Sequence, residues 1–245
     1  MRIAIGDDVA AKSLANYLKQ KDWEDQKVAV AYVRGNSYSE SLAGEFEKLL
    51  LEDFVDKCDI SKGNFNPSKC VKTAKYKGAE IMLLVPATDE TVSQTMLIIN
   101  NAEELKLLGG DSVYNDKLLD NAGAKAEENN LTIAIPLYRP LKKEFTEKSK
   151  DFWDDEINWR TATSYDAVQT IIKALETLDK SNRDYSREQL QIILSSSDFE
   201  LEGETGKIKF KESGDRLFLN STDKSVLVQV KFNPESRKYK FVTLE

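Results

Sequence analysis

Lys27–Leu50 reads KVAVAYVRGNSYSESLAGEFEKLL, and its order of apolar run, small polar turn and periodic stretch decides the fold class. Val28, Ala29, Val30, Ala31, Tyr32 and Val33 form a short continuous apolar run, which suits a strand buried on both faces. Gly35 to Ser37 is a turn. Leu42, Phe46, Leu49 and Leu50 then fall on one stripe of a helix. Ser37 or Ser39 is placed to cap that helix, and Glu40 supplies acid in its first turn. Strand, turn and helix in this order make the unit whose loop commonly holds a ligand in open α/β sheets. The helix start offers unpaired N–H groups and a positive dipole end, which suits an anionic group such as a carboxylate. Tyr38 adds a flat apolar face with a polar tip at that mouth. The same residues equally suit a plain β–α connection inside a core.

Working outward, the same alternation recurs. Asp7 or Asp8 caps a first helix with Val9, Leu14 and Leu18 on its apolar face. Asp53–Ile60 reads as a second strand, and Pro67 opens a helix at its first position. Glu80–Val85, EIMLLV, is the most continuous buried-strand signal in the chain. Pro86 closes it, and Thr88 or Asp89 caps the helix that follows. Leu105–Leu108 and Leu131–Ile135 are the fourth and fifth strands, the former ended by Gly109, Gly110 and Asp111. This spacing predicts an α/β fold, with a Rossmann-like parallel sheet wrapped by helices. From Leu141 to Leu194 the pattern is helical. Phe145, Phe152 and Trp153 mark one helix. Tyr165, Val168, Ile171, Ile172 and Leu175 form the apolar face of a second. Ser186 caps a third in the order Ser-Arg-Glu-Gln. Past Leu201 a strand-rich tail follows, with Lys207–Phe210, Ser225–Phe232 and Tyr239–Leu244.

The composition narrows the chemistry. A net charge of −7 argues against a nucleic-acid partner, which wants a basic face. No apolar run approaches the ~20 residues of a membrane span, and the N-terminus lacks the layout of a secretion signal. The chain has no histidine, which removes the commonest general base and most zinc sites. Cys58 and Cys70 either pair as a disulfide or remain free thiols, and their spacing does not decide. No dinucleotide fingerprint, Walker A loop or nucleophile elbow occurs. Asp151, Asp154, Asp155 and Glu156 read as a solvated helix face rather than a cation site, and Trp153 and Trp159 as core anchors rather than a sugar platform. The balance favours binding over catalysis, with no cofactor and no metal.

Several stretches together resemble a known family: YVRGNSYSESLAGEF, EIMLLVPATDET, LLGGDSVYNDKLL, the TSYDAVQTIIKALE helix, and TGKIKFKESGDR followed by SVLVQV. In this shared order they are similar to type I periplasmic substrate-binding proteins, in the leucine/isoleucine/valine-binding branch that serves ABC transporters and is related to receptor ligand-binding domains. The resemblance implies two α/β lobes closing on a small ligand. It places residues 1–136 and 203–245 in the second lobe and 137–202 as helices of the first. About 120 residues expected ahead of them have no counterpart here. It implies a non-enzymatic, periplasmic or extracytoplasmic protein that binds a branched-chain amino acid or similar small molecule at an interlobe cleft. The expected partner is an ABC transporter permease; the alternative is a ligand-sensing domain of a signalling protein. Carried over residue by residue, Ser37 and Tyr38 lie in the loop after the lobe's first strand. Pro86, Ala87 and Thr88 lie in the loop after LLV. Asp111 sits where an acidic residue meets the ligand's amino group, and Tyr114 lines the pocket beyond it. The stripes around Val168, Ile171, Leu175 and Ile192 would stay exposed unless a partner chain covers them, which predicts a homodimer through the helical segment.

Overall fold

The computed structural model describes residues 1–61, 63–136, 143–154, 157–181, 184–218 and 225–244. Asp155 and Glu156 of the acidic run lie outside these, as do residues 137–142 at the start of the expected helical segment. The chain divides into two compact units, Asp7–Ile135 with Val226–Glu245, and Met1–Gly6 with Pro136–Ser225.

The larger unit is built on strands β1 (Val28–Tyr32), β2 (Phe54–Asp59), β3 (Ile81–Val85), β4 (Lys106–Gly109) and β5 (Thr132–Pro136), joined by β8 (Ser225–Asn233) and β9 (Lys238–Thr243). Their order across the sheet is β2-β1-β3-β4-β5-β8-β9. The first five pair in parallel, and β8 pairs antiparallel with β9. Every residue of β3 and of β5 is buried, as continuous apolar strands between two helical layers require. Helices α1 (Asp7–Gln20), α2 (Ser37–Leu50), α3 (Pro67–Tyr76), α4 (Asp89–Asn101) and α5 (Asp116–Glu128) belong to this unit. Leu14 and Leu18 of α1 and Leu42 and Phe46 of α2 are fully buried in its core.

The helix starts refine the sequence reading. Asn36, not Ser37 or Ser39, caps α2: its side chain accepts from the Ser39 amide at 3.0 Å. Asn and Ser are equally good caps, so sequence preference does not separate them. Asn66 caps α3 with Pro67 at its first position, and Thr88 caps α4 in a reciprocal box with Thr91. Cys58 of β2 and Cys70 of α3 are joined as a disulfide, with their Cα atoms 5.9 Å apart.

The second unit carries α6 (Lys143–Trp153), α7 (Trp159–Lys180), α8 (Arg187–Ser195) and a two-stranded antiparallel hairpin, β6 (Leu201–Gly203) with β7 (Gly206–Ile208). Ser186 caps α8, accepting from Gln189 N. Asp166 on α7 organises the hairpin. Its carboxylate accepts from the amides of Glu204 and Thr205 at 2.7 and 2.8 Å and from the Thr205 hydroxyl. Gly203 is required by this approach, because a Cβ there would lie 2.6 Å from the Asp166 carboxylate. Arg216 closes the turn from its other side, donating to Thr205 O at 2.9 Å and Lys207 O at 3.0 Å. Trp159 is buried as expected of an anchor, whereas Trp153 is 66% exposed and is not one. Of the stripe read as the apolar face of α7, Val168, Ile171 and Ile172 are exposed, Leu175 is half-buried, and Tyr165 packs its ring on Phe145; Trp159, Ala162, Asp166, Thr170, Ala174 and Leu178 make the buried face. Asp166 has to face inward to reach the hairpin amides.

Among the described residues no helix is long and apolar enough to cross a membrane, and no group of three or more metal-ligating side chains gathers.

Candidate functional site

The strand order singles out one edge of this sheet as the candidate site. From β1 the chain moves outward to β2; from β3 it runs the other way through β4 to β5. The topological switch therefore lies between β1 and β3, and the crevice outside the carboxyl ends of strands at such a point is the usual ligand site of open α/β sheets. Three loops converge on that edge: Val33–Asn36 after β1, Pro86–Thr88 after β3, and Gly110–Tyr114 after β4.

Ser39 ties the first two loops together. It is fully buried, accepts from the Val33 amide at 2.7 Å, and donates to the Val85 carbonyl at 2.6 Å. A side chain in the first turn of α2 thus spans the switch point by pairing backbone groups at the ends of β1 and β3. Glu40 reaches back to the Gly35 amide at 2.9 Å and closes the turn from outside.

Tyr38 ties the first loop to the third. Its phenol donates to Asp111 Oδ1 at 2.8 Å and lies 3.2 Å from Ser112 Oγ. Burial, together with the negative charge of Asp111, pushes the Tyr38 phenol well above its ordinary value. The hydroxyl is therefore a permanent donor at neutral pH. Gly110 makes this approach possible: a Cβ there would collide with the Tyr38 hydroxyl and sit 2.5 Å from Leu42 Cδ2. Since φ at Gly110 is −81°, the requirement is space and not backbone conformation.

The structure thus brings Tyr38 and Asp111 into direct contact across 73 residues of sequence. Ser37 is the exposed first residue of α2. Pro86 is buried at the end of β3. The Ala87 amide donates to Thr91 Oγ1 at 2.9 Å, so Pro86–Thr88 are held by the start of α4. Tyr114 follows Asp111 by one 3-10 turn, and its ring stacks on Phe241 of β9 with centroids 4.3 Å apart. The sequence assigns none of Ser39, Gly110 and Ser112 to the site. Ser39 resembles a cap, Gly110 a turn breaker, and their service to the site depends on residues distant in the chain.

No protein-family model matches the sequence, and no curated protein matches it. Solved structures do match. A leucine-binding protein LivK from Thermotoga maritima superposes on all of this chain and 67% of its own, with a TM-score of 0.76 and 19% identity. A solute-binding protein of an ABC transporter from Rhodopseudomonas palustris, in complex with p-hydroxybenzoic acid, covers 100% of this chain and 66% of its own at TM-score 0.74 and 17% identity. A leucine-, isoleucine-, valine-, threonine- and alanine-binding protein from Brucella ovis, in a closed conformation, gives TM-score 0.73 at 12% identity over 100% and 63%. The chain spans about two thirds of the length of these proteins. The chain has the α/β fold of the type I substrate-binding proteins of ABC transporters over that span.

Proposed function

We propose that this chain is the solute-binding part of an ABC-type transport system and acts without catalysis. Its ligand wall is the carboxyl edge of the β1–β3–β4 strands, and its ligand is a branched-chain amino acid or a similar small molecule. The observation that carries this reading is the Tyr38–Asp111 contact beside the switch point. Asp111 offers a carboxylate for an ammonium group, and Tyr38 holds it in place. The helix starts of α2 and α4 offer positive dipole ends to a carboxylate at the same edge. A wall negative at one side and positive at the other suits a zwitterion better than a simple acid. Solved structures of this fold bound to leucine or to hydroxybenzoate support the solute class in its broader form.

An extracytoplasmic location and a transporter permease as partner belong to the same proposal. The Cys58–Cys70 disulfide supports the location, because such bonds persist in oxidising compartments. So does a homodimer through the helical segment, supported by the apolar side chains that α7 leaves in solvent.

Calorimetric titration with leucine, isoleucine, valine and 4-hydroxybenzoate tests the reading. Binding of an amino acid, weakened by about 30-fold or more in Asp111→Ala, is expected, since stranding one partner of a hydrogen-bonded charge pair costs at least about 2 kcal/mol. No heat with any of the four, or an affinity indifferent to Asp111→Ala, refutes it.

A further inference from the structure

Arg34 stands in the Val33–Asn36 loop, at the carboxyl edge of the sheet, and its side chain is 68% exposed. Holding a long cation still in solvent costs side-chain entropy, so most surface arginines are not held. This one is held by its base. Its Nε donates to the Tyr32 hydroxyl at 3.5 Å and lies 3.7 Å from Asp59 Oδ2, and its backbone amide donates to Asp59 Oδ1 at 3.4 Å. Asp59, the last residue of β2, is itself fixed. Its side chain is 8% exposed, and Oδ1 accepts from the Ser61 amide at 3.0 Å and from the Ser61 hydroxyl at 2.6 Å. Cys58, the residue before it, is bonded to Cys70 of α3. Tyr32 and Asp59 are partners in the β1–β2 register, so the support is sheet and not loop. Among the described residues the two Nη groups of Arg34 have no hydrogen-bond partner. Anchored through Nε with its end open, the guanidinium presents the planar fork that matches a carboxylate.

The sheet sets the distance between this cation and the Asp111 carboxylate. Neighbouring strands lie about 4.8 Å apart, and β4 is two steps from β1. Arg34 and Asp111 therefore stand on loops about 10 Å apart, and Arg34 leans the other way, toward β2. A contact of about 2.8 Å at each end leaves about 4 Å or more for the solute between them. The N–Cα and Cα–C bonds put the α-carboxylate of an amino acid only about 2.5 Å from its ammonium nitrogen, too near to serve both residues. A carboxylate two methylenes farther on spans about 5 Å. Resting on the solute reading in which Asp111 takes the ammonium group, we propose that Arg34 determines specificity at this edge and selects an amino acid whose side chain ends in a carboxylate. Glu40, a second carboxylate beside Arg34, is turned to the Gly35 amide at 2.9 Å, and the dipole of α2 adds positive potential on the Arg34 side.

Calorimetric titration of the full chain with glutamate, with glutamine as its neutral isostere, and with leucine tests this. Glutamate is expected to bind at least about tenfold more tightly than glutamine, as a hydrogen-bonded contact to a charged group provides. Arg34→Gln should erase that ratio while leaving the glutamine and leucine affinities within about threefold, since an exposed side chain can be replaced without disturbing the fold. Lys48→Gln, which removes an exposed charge from the last turn of the same helix that begins at Ser37, should leave the ratio intact. A wild-type ratio near one, a ratio that survives Arg34→Gln, or one that falls equally in Lys48→Gln overturns the inference. In each of those cases leucine binding that depends on Asp111 leaves the solute reading standing. No heat with leucine, glutamine or glutamate removes both.

Discussion

Replacing Ser39 by Ala removes one oxygen that satisfies two backbone groups at the switch point. The Val33 amide loses its acceptor at 2.7 Å and the Val85 carbonyl loses its donor at 2.6 Å, in a place with no exposed surface. Each stranded group costs about 1–3 kcal/mol when buried. The better helix propensity of Ala returns less than about 0.7 kcal/mol. A net loss of about 1.3–5.3 kcal/mol follows. Amide hydrogen exchange in β1 and β3 isolates this unit from the helical one, and the slowest amides there should exchange at least about 10-fold and up to about 6,000-fold faster, at tenfold per 1.4 kcal/mol. Ser37→Ala is the control, because Ser37 stands exposed two residues earlier on the same helix. It should shift exchange by less than about threefold, the range of surface substitutions. If Ser39→Ala is no more costly than Ser37→Ala, the Ser39 bridge does not hold the two loops and the account of the switch point fails.

Two further substitutions probe the other supports. For Tyr38, a phenol value raised in the folded state means that the folded chain resists deprotonation. The stabilisation is fully present below the unfolded value near 10 and is lost as pH rises beyond it, by about 1.4 kcal/mol per pH unit. At pH 8 Tyr38→Phe should be less stable than wild type by about 2 kcal/mol, the worth of a hydrogen bond to a carboxylate. By about pH 11 the gap should narrow by roughly 1.4 kcal/mol, and a gap constant over that range in urea titrations contradicts the buried pairing with Asp111. In the helical unit, Asp166→Ala deprives two hairpin amides and a hydroxyl of their acceptor and should cost about 3 kcal/mol or more. Fluorescence of Trp159, buried on the same helix, reports this unfolding; a loss under about 1 kcal/mol would contradict the role given to Asp166.

What the sequence disclosed follows the chemistry of the buried faces. Strands β1, β3 and β5 announce themselves because a strand covered on both sides is written in a near-continuous apolar run. Helix α5 escaped notice because its buried face is Leu118, Ala122, Gly123 and Ala126, a row of mostly small residues with little hydrophobic signal. The smallness has a cause: a Cβ on Gly123 would lie 2.5 Å from the Tyr239 ring of β9. The same logic misled the reading of α7, where Val168, Ile171 and Ile172 look outward while Ala162, Asp166, Thr170 and Ala174 are packed between Trp159 and Leu178. Tyr38 and Asp111 were named through a likeness of motifs, yet nothing in their spacing announces that they touch. Gly110 and Ser39 could be recognised as parts of the site only once that contact and the strand order were known.

The supports also explain how an edge made of three loops can present a fixed surface. Loops ordinarily move more than the elements they join. Here each is anchored by a side chain from a neighbouring element: the Val33 loop by Ser39, the Pro86–Thr88 loop by Thr91, and the Gly110 loop by Tyr38. Two of these anchors stand in the first turn of α2 and one in that of α4, so the helices that carry the positive dipole ends also set the position of the negative Asp111. Separation of charge along the edge is thus a property of two helix starts and not of loop conformation. On the proposed reading, loss of an anchor and loss of Asp111 should differ in kind. Ser39→Ala should lower stability and weaken every bound solute alike, because it loosens both ends of the wall. Asp111→Ala should weaken amino acids while sparing a ligand that has no ammonium group. Equal losses for both ligand types in Asp111→Ala would mean that the carboxylate serves the fold of the edge through Tyr38 and does not discriminate among solutes.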